Sequence, residues 1–331
     1  MTPASARIRL RYAVVQNVPL LLSLGLLVAM TIVYAVLFAL KQHRPPGGFE
    51  LLTTANNSLS VGLAAIGQTF VVLTGGIDLS VGGIVDVTNG LAARIMGDSP
   101  ASIVLVSAFV LLVGTCAGLF NGLLVVYGRL QPIIVTLATL AIWEGIALLI
   151  LPQQGGAIPP ALSALLAGTL PFLPGVPSSV VLAILLILGW RLLRRTRFLT
   201  AVYAIGNDER AARANGISIA RAKIGAYTLA GTCAGAAGLY FAAVNTSGDA
   251  TSGTPFTLTS IAAVVLGGVS LFGGRGSAIG SLAGAFILTL LLNALFFAGV
   301  NTQLQEFFQG LFLILAVVAS TLVRRALQPA R

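Results

Sequence analysis

Long apolar runs alternate with short polar breaks along almost the whole chain. They cover residues 19–40, 57–74, 79–95, 101–127, 132–151, 176–193, 222–244, 257–272, 277–300 and 303–323. Crossing a bilayer takes about 20 predominantly apolar residues per helix. The third and eighth runs are short and interrupted by glycine or polar residues. The pattern predicts an all-α integral membrane protein, a polytopic bundle of about ten transmembrane segments. Residues 19–40 exceed a signal-peptide core, and Lys41-Gln-His-Arg follows where a cleavage site would sit, so this run reads as an uncleaved span.

Positive charge orients the bundle, because cytoplasmic loops hold an excess of Lys and Arg. With ten spans and the N-terminus inside, sixteen of nineteen basic residues fall on the cytoplasmic side; only Lys41, Arg44 and Arg94 lie outside. Both termini are therefore expected in the cytoplasm. The chain reads as one transmembrane domain over residues 1–331, with cytoplasmic segments at 1–18, 191–223 and 324–331. The external stretch 152–176, proline-rich and uncharged, reads as a re-entrant or outward-facing cap.

Composition narrows the chemistry. At 57% hydrophobic and 8% charged, the chain cannot cover a water-facing globule. The net charge of +10 comes from short loops, with no basic face interleaved with aromatics, which argues against nucleic acid. A single histidine, His43, excludes histidine-cluster metal sites. Cys116 and Cys233 both lie in apolar runs and read as small packing residues. The lysines, Lys41 and Lys223, precede Gln42 and Ile224, so no Gly-Lys-Ser/Thr phosphate loop exists. Any ATP and Mg would be bound by another chain, and no cofactor is expected on this one.

Within residues 67–83, GQTFVVLTGGIDLSVGG, a carboxylate stands in an apolar run. Such a group costs roughly 2.5–3.5 kcal/mol on insertion scales, so it needs a partner or a polar cavity. Gly75 and Gly76 are suited to breaking a helix, with Asp78 placed to cap one that restarts at Leu79. Asp78 thus reads as a cap, as part of a gate, or as both; Ser80 is expected to bond back to its own helix. Asp86 and Glu144 are further intramembrane carboxylates, suited to ligand hydroxyls or to an arginine partner. Asn121 and Asn293 read as bridges between helices. Gly267, Gly268, Gly273 and Gly274 read as a close-packing turn. Residues 71–79 and 264–271 look alike apart from one insertion, which suggests either an internal repeat or chance.

The long cytoplasmic loop centres on AIGNDERAARANGIS. Asn207 is a favoured N-cap, Asp208 and Glu209 suit the first turn, Ala211, Ala212 and Ala214 favour helix, and Gly216 suits the C′ position. A short helix over residues 208–215 follows, about 12 Å long. It reads as a coupling element or as an ordinary amphipathic loop helix on anionic headgroups.

Four ordered blocks resemble the permease subunits of ribose-type monosaccharide ABC importers. They are GLAAIGQTFVVLTGGIDLSVG, GLFNGLLVVYGRLQPIIVTLATL, TRFLTAVYAIGNDERAARANGI and IAAVVLGGVSLFGGRGSAIGSLAGAFIL, and the likeness runs over residues 51–324. The resemblance implies a ten-span permease working as one of a pair, homodimeric or heterodimeric, in lipid. It also implies an external sugar-binding protein and a cytoplasmic ABC ATPase. Glu209, Ala211, Ala212 and Gly216 look like the coupling motif that docks on the ATPase, with Gly206, Asn207 and Asp208 leading into it. Asp86, Trp143-Glu144, Thr257, Thr259 and Leu199-Thr200 depart from the usual pattern, which bears on the substrate more than on the family. A branched-chain amino-acid or nucleoside permease and a proton-coupled secondary transporter are the competing readings.

Overall fold

The computed structural model describes residues 3–170, 175–301, 303–305, 307–312, 314, 315 and 318. Twelve helices are numbered in chain order: α1 Pro3–Gln42, α2 Gly48–Leu73, α3 Val81–Ile95, α4 Pro100–Tyr127, α5 Pro132–Ile150, α6 Pro160–Ala167, α7 Ser178–Leu193, α8 Arg197–Asn207, α9 Glu209–Ala214, α10 Ile219–Asn245, α11 Thr254–Leu266 and α12 Ala278–Phe297. Among the described residues five segments are long and apolar enough to cross a membrane: Val18–Gln42, α4, α5, α10 and α12. The all-α membrane architecture follows directly from the apolar periodicity.

The structure corrects several boundaries. The first helix runs unbroken from Pro3 through Pro19 to Gln42, so residues 3–18 extend in one helix from the apolar segment Val18–Gln42. The third and eighth runs become α3 and α11, with 15 and 13 residues. At 1.5 Å per residue they reach only about 20 Å, short of the ~30 Å hydrocarbon core. A mostly buried segment, residues 74–80, leads into α3, and a partly buried loop follows α11. The loop 191–223 contains α8 as well as α9, because Leu199, Val202 and Ile205 give α8 an apolar face that packs inward. The stretch 152–176 carries α6, whose Leu162, with Ile158, packs on Ala92, Ala93, Leu239 and Ala243. The described residues of the tenth run, 303–305, 307–312, 314, 315 and 318, are helical, and the tail at 324–331 lies outside the described residues.

α10 is the central post, packed against α2, α3 and α4. Its contact with α4 rests on glycine. The pentapeptide Gly-Thr-Cys-Ala-Gly occurs twice, at 114–118 and 231–235, and the two copies cross. A Cβ on Gly118 would stand 2.2 Å from the Tyr227 carbonyl oxygen, and one on Gly231 2.2 Å from that of Gly114. Such small-xxx-small pairs let backbones touch where lipid provides no hydrophobic drive. Thr115 and Thr232 join hydroxyls across the crossing at 2.8 Å. Both cysteines are free.

The likeness between residues 71–79 and 264–271 has a local cause. α2 ends with Gly76 N–H donating to Val71 O and Gly75 N–H to Val72 O; α11 ends with Val269 N–H to Val264 O and Gly268 N–H to Val265 O. Gly75 and Gly268 take left-handed φ of 82° and 78°. The ends of α9 and α12 carry the same bonds, with Gly216 and Gly299 left-handed. A shared helix-ending motif, which glycine alone enters without steric cost, accounts for the match.

Gly118→Val should destabilise the solubilised protein by at least about 1–3 kcal/mol, the usual cost of overpacking. Gly189, on α7, faces open space: a Cβ there would have no heavy atom of the rest of the protein within 4 Å. Gly189→Ala should be neutral or up to about 1 kcal/mol stabilising. Thermal unfolding in detergent compares the two, and equal midpoints would contradict the backbone contact.

Candidate functional site: a helix break, a carboxylate pair and a loop junction

The chain between α2 and α3, residues 74–80, runs without regular secondary structure through the protein interior. Nearly all its polar groups are buried, so each must find a partner inside the protein. Asp78 is fully buried. Its Oδ1 accepts from the Ser80 N–H at 2.9 Å and from the Ser80 hydroxyl at 2.6 Å. Asn121, on α4, donates from Nδ2 to the Ser80 oxygen at 2.7 Å, and Thr136, on α5, donates to the Ile77 carbonyl at 3.4 Å. The Gln68 amide, oriented to satisfy both partners, donates to the Asp78 carbonyl at 3.0 Å and accepts from its N–H at 3.2 Å.

Two expectations change here. The helix restarts at Val81, not Leu79, with Ser80 at the cap position. Ser80 spends its proton on Asp78 and accepts from Asn121, so it does not bond back to its own helix. Asp78 holds a two-residue turn ahead of the helix in place of capping it directly. Gln68 was not singled out from the sequence; the signal available was a lone glutamine in an apolar helix, about two turns before paired glycines. Tyr227 was also missed, and its hydroxyl crowds Gly76, where a Cβ would lie 2.9 Å away.

Asp86 and Glu144 meet at the start of α11, and neither has an arginine partner among the described residues. Asp86 Oδ1 accepts from the Gly253 N–H at 2.5 Å, and Glu144 Oε1 accepts from the Thr254 hydroxyl at 3.3 Å. Gly253 supplies no side-chain cap, so α3 provides from across the interface the acceptor that a helix start needs. Asn293, on α12, donates to Thr54 of α2 at 3.0 Å, joining two helices.

The third cluster gathers on the α8–α9 side. α9 is capped by Asp208, whose Oδ1 accepts from the Arg210 and Ala211 N–H groups at 2.8 and 3.0 Å. Asn207 is therefore not the cap. It closes α8 and donates from Nδ2 to the Gly274 carbonyl at 3.1 Å. Gly206 also belongs to α8, and a Cβ there would stand 1.9 Å from Leu73 O and 2.3 Å from Gly274 N. Gly274 N–H donates to Leu73 O at 3.0 Å, and Tyr203 donates to Gly276 O at 2.6 Å. The turn that holds Gly273 and Gly274, following Gly267 and Gly268, thus touches both the end of α2 and the end of α8.

α9 itself spans Glu209–Ala214, shorter than the expected 208–215. Ala212 is 4% exposed and packs inward, so it cannot seat in a partner; Ala211 and Ala214 are exposed, as are Arg210 and Arg213. Glu209 bonds Lys223 of α10 at 2.7 Å and Arg213 at 3.3 Å. The Lys223 bond holds the Glu209 carboxyl below the usual carboxylate range. The pair is thus intact at neutral pH and is lost only as pH falls through that lowered value.

An all-helical bundle with broken helices and buried polar breaks defines a membrane transport protein. The family model described as branched-chain amino acid transport system / permease component matches residues 50–317. The ribose import permease protein RbsC of Escherichia coli (strain K12) is 37% identical over 261 residues, 77% of this chain and 80% of that protein. The protein of that name in Bacillus subtilis (strain 168) is 37% identical over 262 residues, 78% and 80% of the two chains. The autoinducer 2 import system permease protein LsrD of Photorhabdus laumondii is 30% identical over 304 residues, 89% and 90% of the two. No solved structure matches the chain. The chain belongs to this family of ABC-importer permeases, of the ribose type. It is a multi-pass transport subunit of the bacterial plasma membrane, not an enzyme.

Asp78→Asn should keep transport, since an amide oxygen accepts both Ser80 bonds and no buried charge remains. Asp78→Leu should lose transport or folding, each lost buried bond costing about 1–3 kcal/mol. Uptake at matched membrane levels reads the difference; an asparagine variant as inactive as leucine would make the charge itself essential.

Proposed function

We propose that this chain moves a monosaccharide, a pentose, hexose or related polyol, through the membrane after an external binding protein delivers it. Two cytoplasmic ATPase subunits drive the step, carrying ATP and Mg, and a second permease copy completes the pathway. The names of the relatives, two ribose permeases and an autoinducer 2 permease, favour a small hydroxylated cargo. The broken helices α2–α3 and α11, with Gly75, Gly76, Asp78, Ser80, Asp86, Asn121 and Glu144, supply the polar breaks that such a pathway needs.

The observation that carries coupling is the chain of contacts running inward from α9. Lys223 ties Glu209 to α10, and Asn207 and Gly206 tie the adjoining end of α8 to Gly274 and Leu73. A push on the outward face of α9 therefore reaches the C-terminus of α2 and the turn after α11 through short, bonded contacts.

Ala211→Trp or Ala214→Trp should block docking without touching a span. Sugar-stimulated ATP hydrolysis and transport in proteoliposomes should fall together about tenfold, the effect of ~1.4 kcal/mol at an interface. The binding protein's affinity for sugar should stay unchanged. Undiminished stimulated hydrolysis at equal complex levels would remove α9 from the coupling path.

Orientation has its own test. In a background lacking Cys116 and Cys233, Gln154→Cys should react with an impermeant thiol reagent in intact cells, and Ala214→Cys should not. The reverse pattern would invert the topology.

A further inference from the structure

A cavity of about 250 Å³ lies where the far end of α10 meets α3 and the cap segment. Asn89 of α3, Phe241 and Asn245 of α10, Gln154 of the cap and Asp249 and Ser252 before α11 line it. None of these residues belongs to the helix break, the carboxylate pair or the loop junction. The volume falls just below the ~300–1,000 Å³ of pockets that take drug-sized ligands.

Asn89 is the informative wall. It is 1% exposed, and its Oδ1 accepts from the Asp249 N–H at 2.7 Å. That bond fixes the amide orientation and leaves Nδ2 buried with no partner among the described residues. A buried donor left without an acceptor costs about 1–3 kcal/mol; Nδ2 is closed to a water-sized molecule here, so an acceptor in the cavity recovers that cost once the Asn89 side chain turns toward it.

The rest of the lining is chemically selective. Asn245 uses Nδ2 on the Phe241 carbonyl, which leaves its oxygen free to accept. Asp249 Oδ1 takes the Thr251 N–H and hydroxyl, which leaves Oδ2. No Lys or Arg lines the space, and its one charge is a carboxylate, so an anion is disfavoured. Donors and acceptors alternate around an aromatic wall, Phe241, which abuts Phe256 of α11 with centroids 5.4 Å apart. Ser252 adjoins Gly253, the residue that Asp86 holds.

We infer that this cavity is a receiving site for one neutral, polyhydroxylated molecule of monosaccharide size, held before it passes the Asp86–Glu144 pair. The inference rests on the transport reading and on the cap segment facing outward. Asn245 and Asp249 accept from ligand hydroxyls, the Phe241 ring packs against the ligand's C–H face, and Asn89, turning its side chain toward the ligand, donates from Nδ2 to a further hydroxyl.

The test uses the permease–ATPase complex in nanodiscs without binding protein, in a background lacking Cys116 and Cys233. Ser247→Cys, also in the lining, serves as a thiol reporter. D-ribose, D-xylose and D-glucose are the probes, with D-ribose 5-phosphate as the anionic control. At least one neutral sugar should slow labelling, half-maximally at roughly millimolar concentration, and the phosphate should not. Asn89→Asp keeps the acceptor for Asp249 but removes the donor, and should weaken protection about tenfold. In the full transporter, Gln154→Trp should fill the space and lower the sugar moved per ATP hydrolysed, while loaded binding protein still stimulates hydrolysis. Unprotected labelling with all three sugars, equal protection by the phosphate, or an unchanged sugar-to-ATP ratio in Gln154→Trp would overturn the receiving site. Stimulated hydrolysis in wild type would show in those cases that the transport reading stands alone. Protection without any stimulation would leave the cavity as a sugar site and remove the transport reading.

Discussion

A helix that stops inside a membrane protein must still satisfy the carbonyls of its last turn, because no water is at hand to do so. The end of α2 meets this demand with its own turn and with a borrowed donor. Gly75 and Gly76 fold back onto Val72 and Val71, and Gly274 N–H reaches the Leu73 carbonyl from the loop after α11. That single borrowed bond brings three elements to one point. Gly206 of α8 passes so close to Leu73 and Gly274 that only a hydrogen fits between them. The arrangement that satisfies the backbone is thereby also the arrangement that connects α8 and α9 to the broken spans.

The same constraint shapes the interior beyond the break. Residues 77–80 have no ladder of their own, so Gln68, Thr136 and Asn121 supply side chains from α2, α5 and α4. Interhelical hydrogen bonds of this kind average only about 0.6 kcal/mol each in membranes. Their importance lies in register: together they leave the chain between α2 and α3 one way to run. At α11 the analogous role falls to Asp86, which serves the start of a helix on another element. Two polar breaks, each fastened by residues from neighbouring helices, are thus set into a scaffold held by glycine contacts.

That scaffold explains the abundance of small residues. Where α4 and α10 cross, the two identical Gly-Thr-Cys-Ala-Gly segments meet backbone to backbone, and their threonines bond. Dispersion between closely approaching helices replaces the hydrophobic drive that lipid removes. α10 can therefore stand rigidly between α3 and α4, with Lys223 near one end and the polar cavity around Phe241 and Asn245 near the other.

Local chemistry alone decided a good deal. The apolar runs are long because hydrocarbon admits nothing else, so the all-α membrane class was legible at once. The glycine that ends α9 was legible too, since the left-handed conformation at Gly216 has one comfortable occupant. What sequence could not reach was direction. Ala211 and Ala212 are chemically identical, and only the packing of α9 on α8 and α10 turns one outward and buries the other. Asn207 and Asp208 are both good caps; the proximity of Gly274 drew the asparagine into a bond across the junction and left the aspartate to cap. Asp86 and Glu144 stand 58 residues apart in the chain, and no local rule pairs them. They converge because α11 begins where α3 and α5 pass, and a helix start with no side-chain cap of its own takes its acceptors from whatever helix lies alongside.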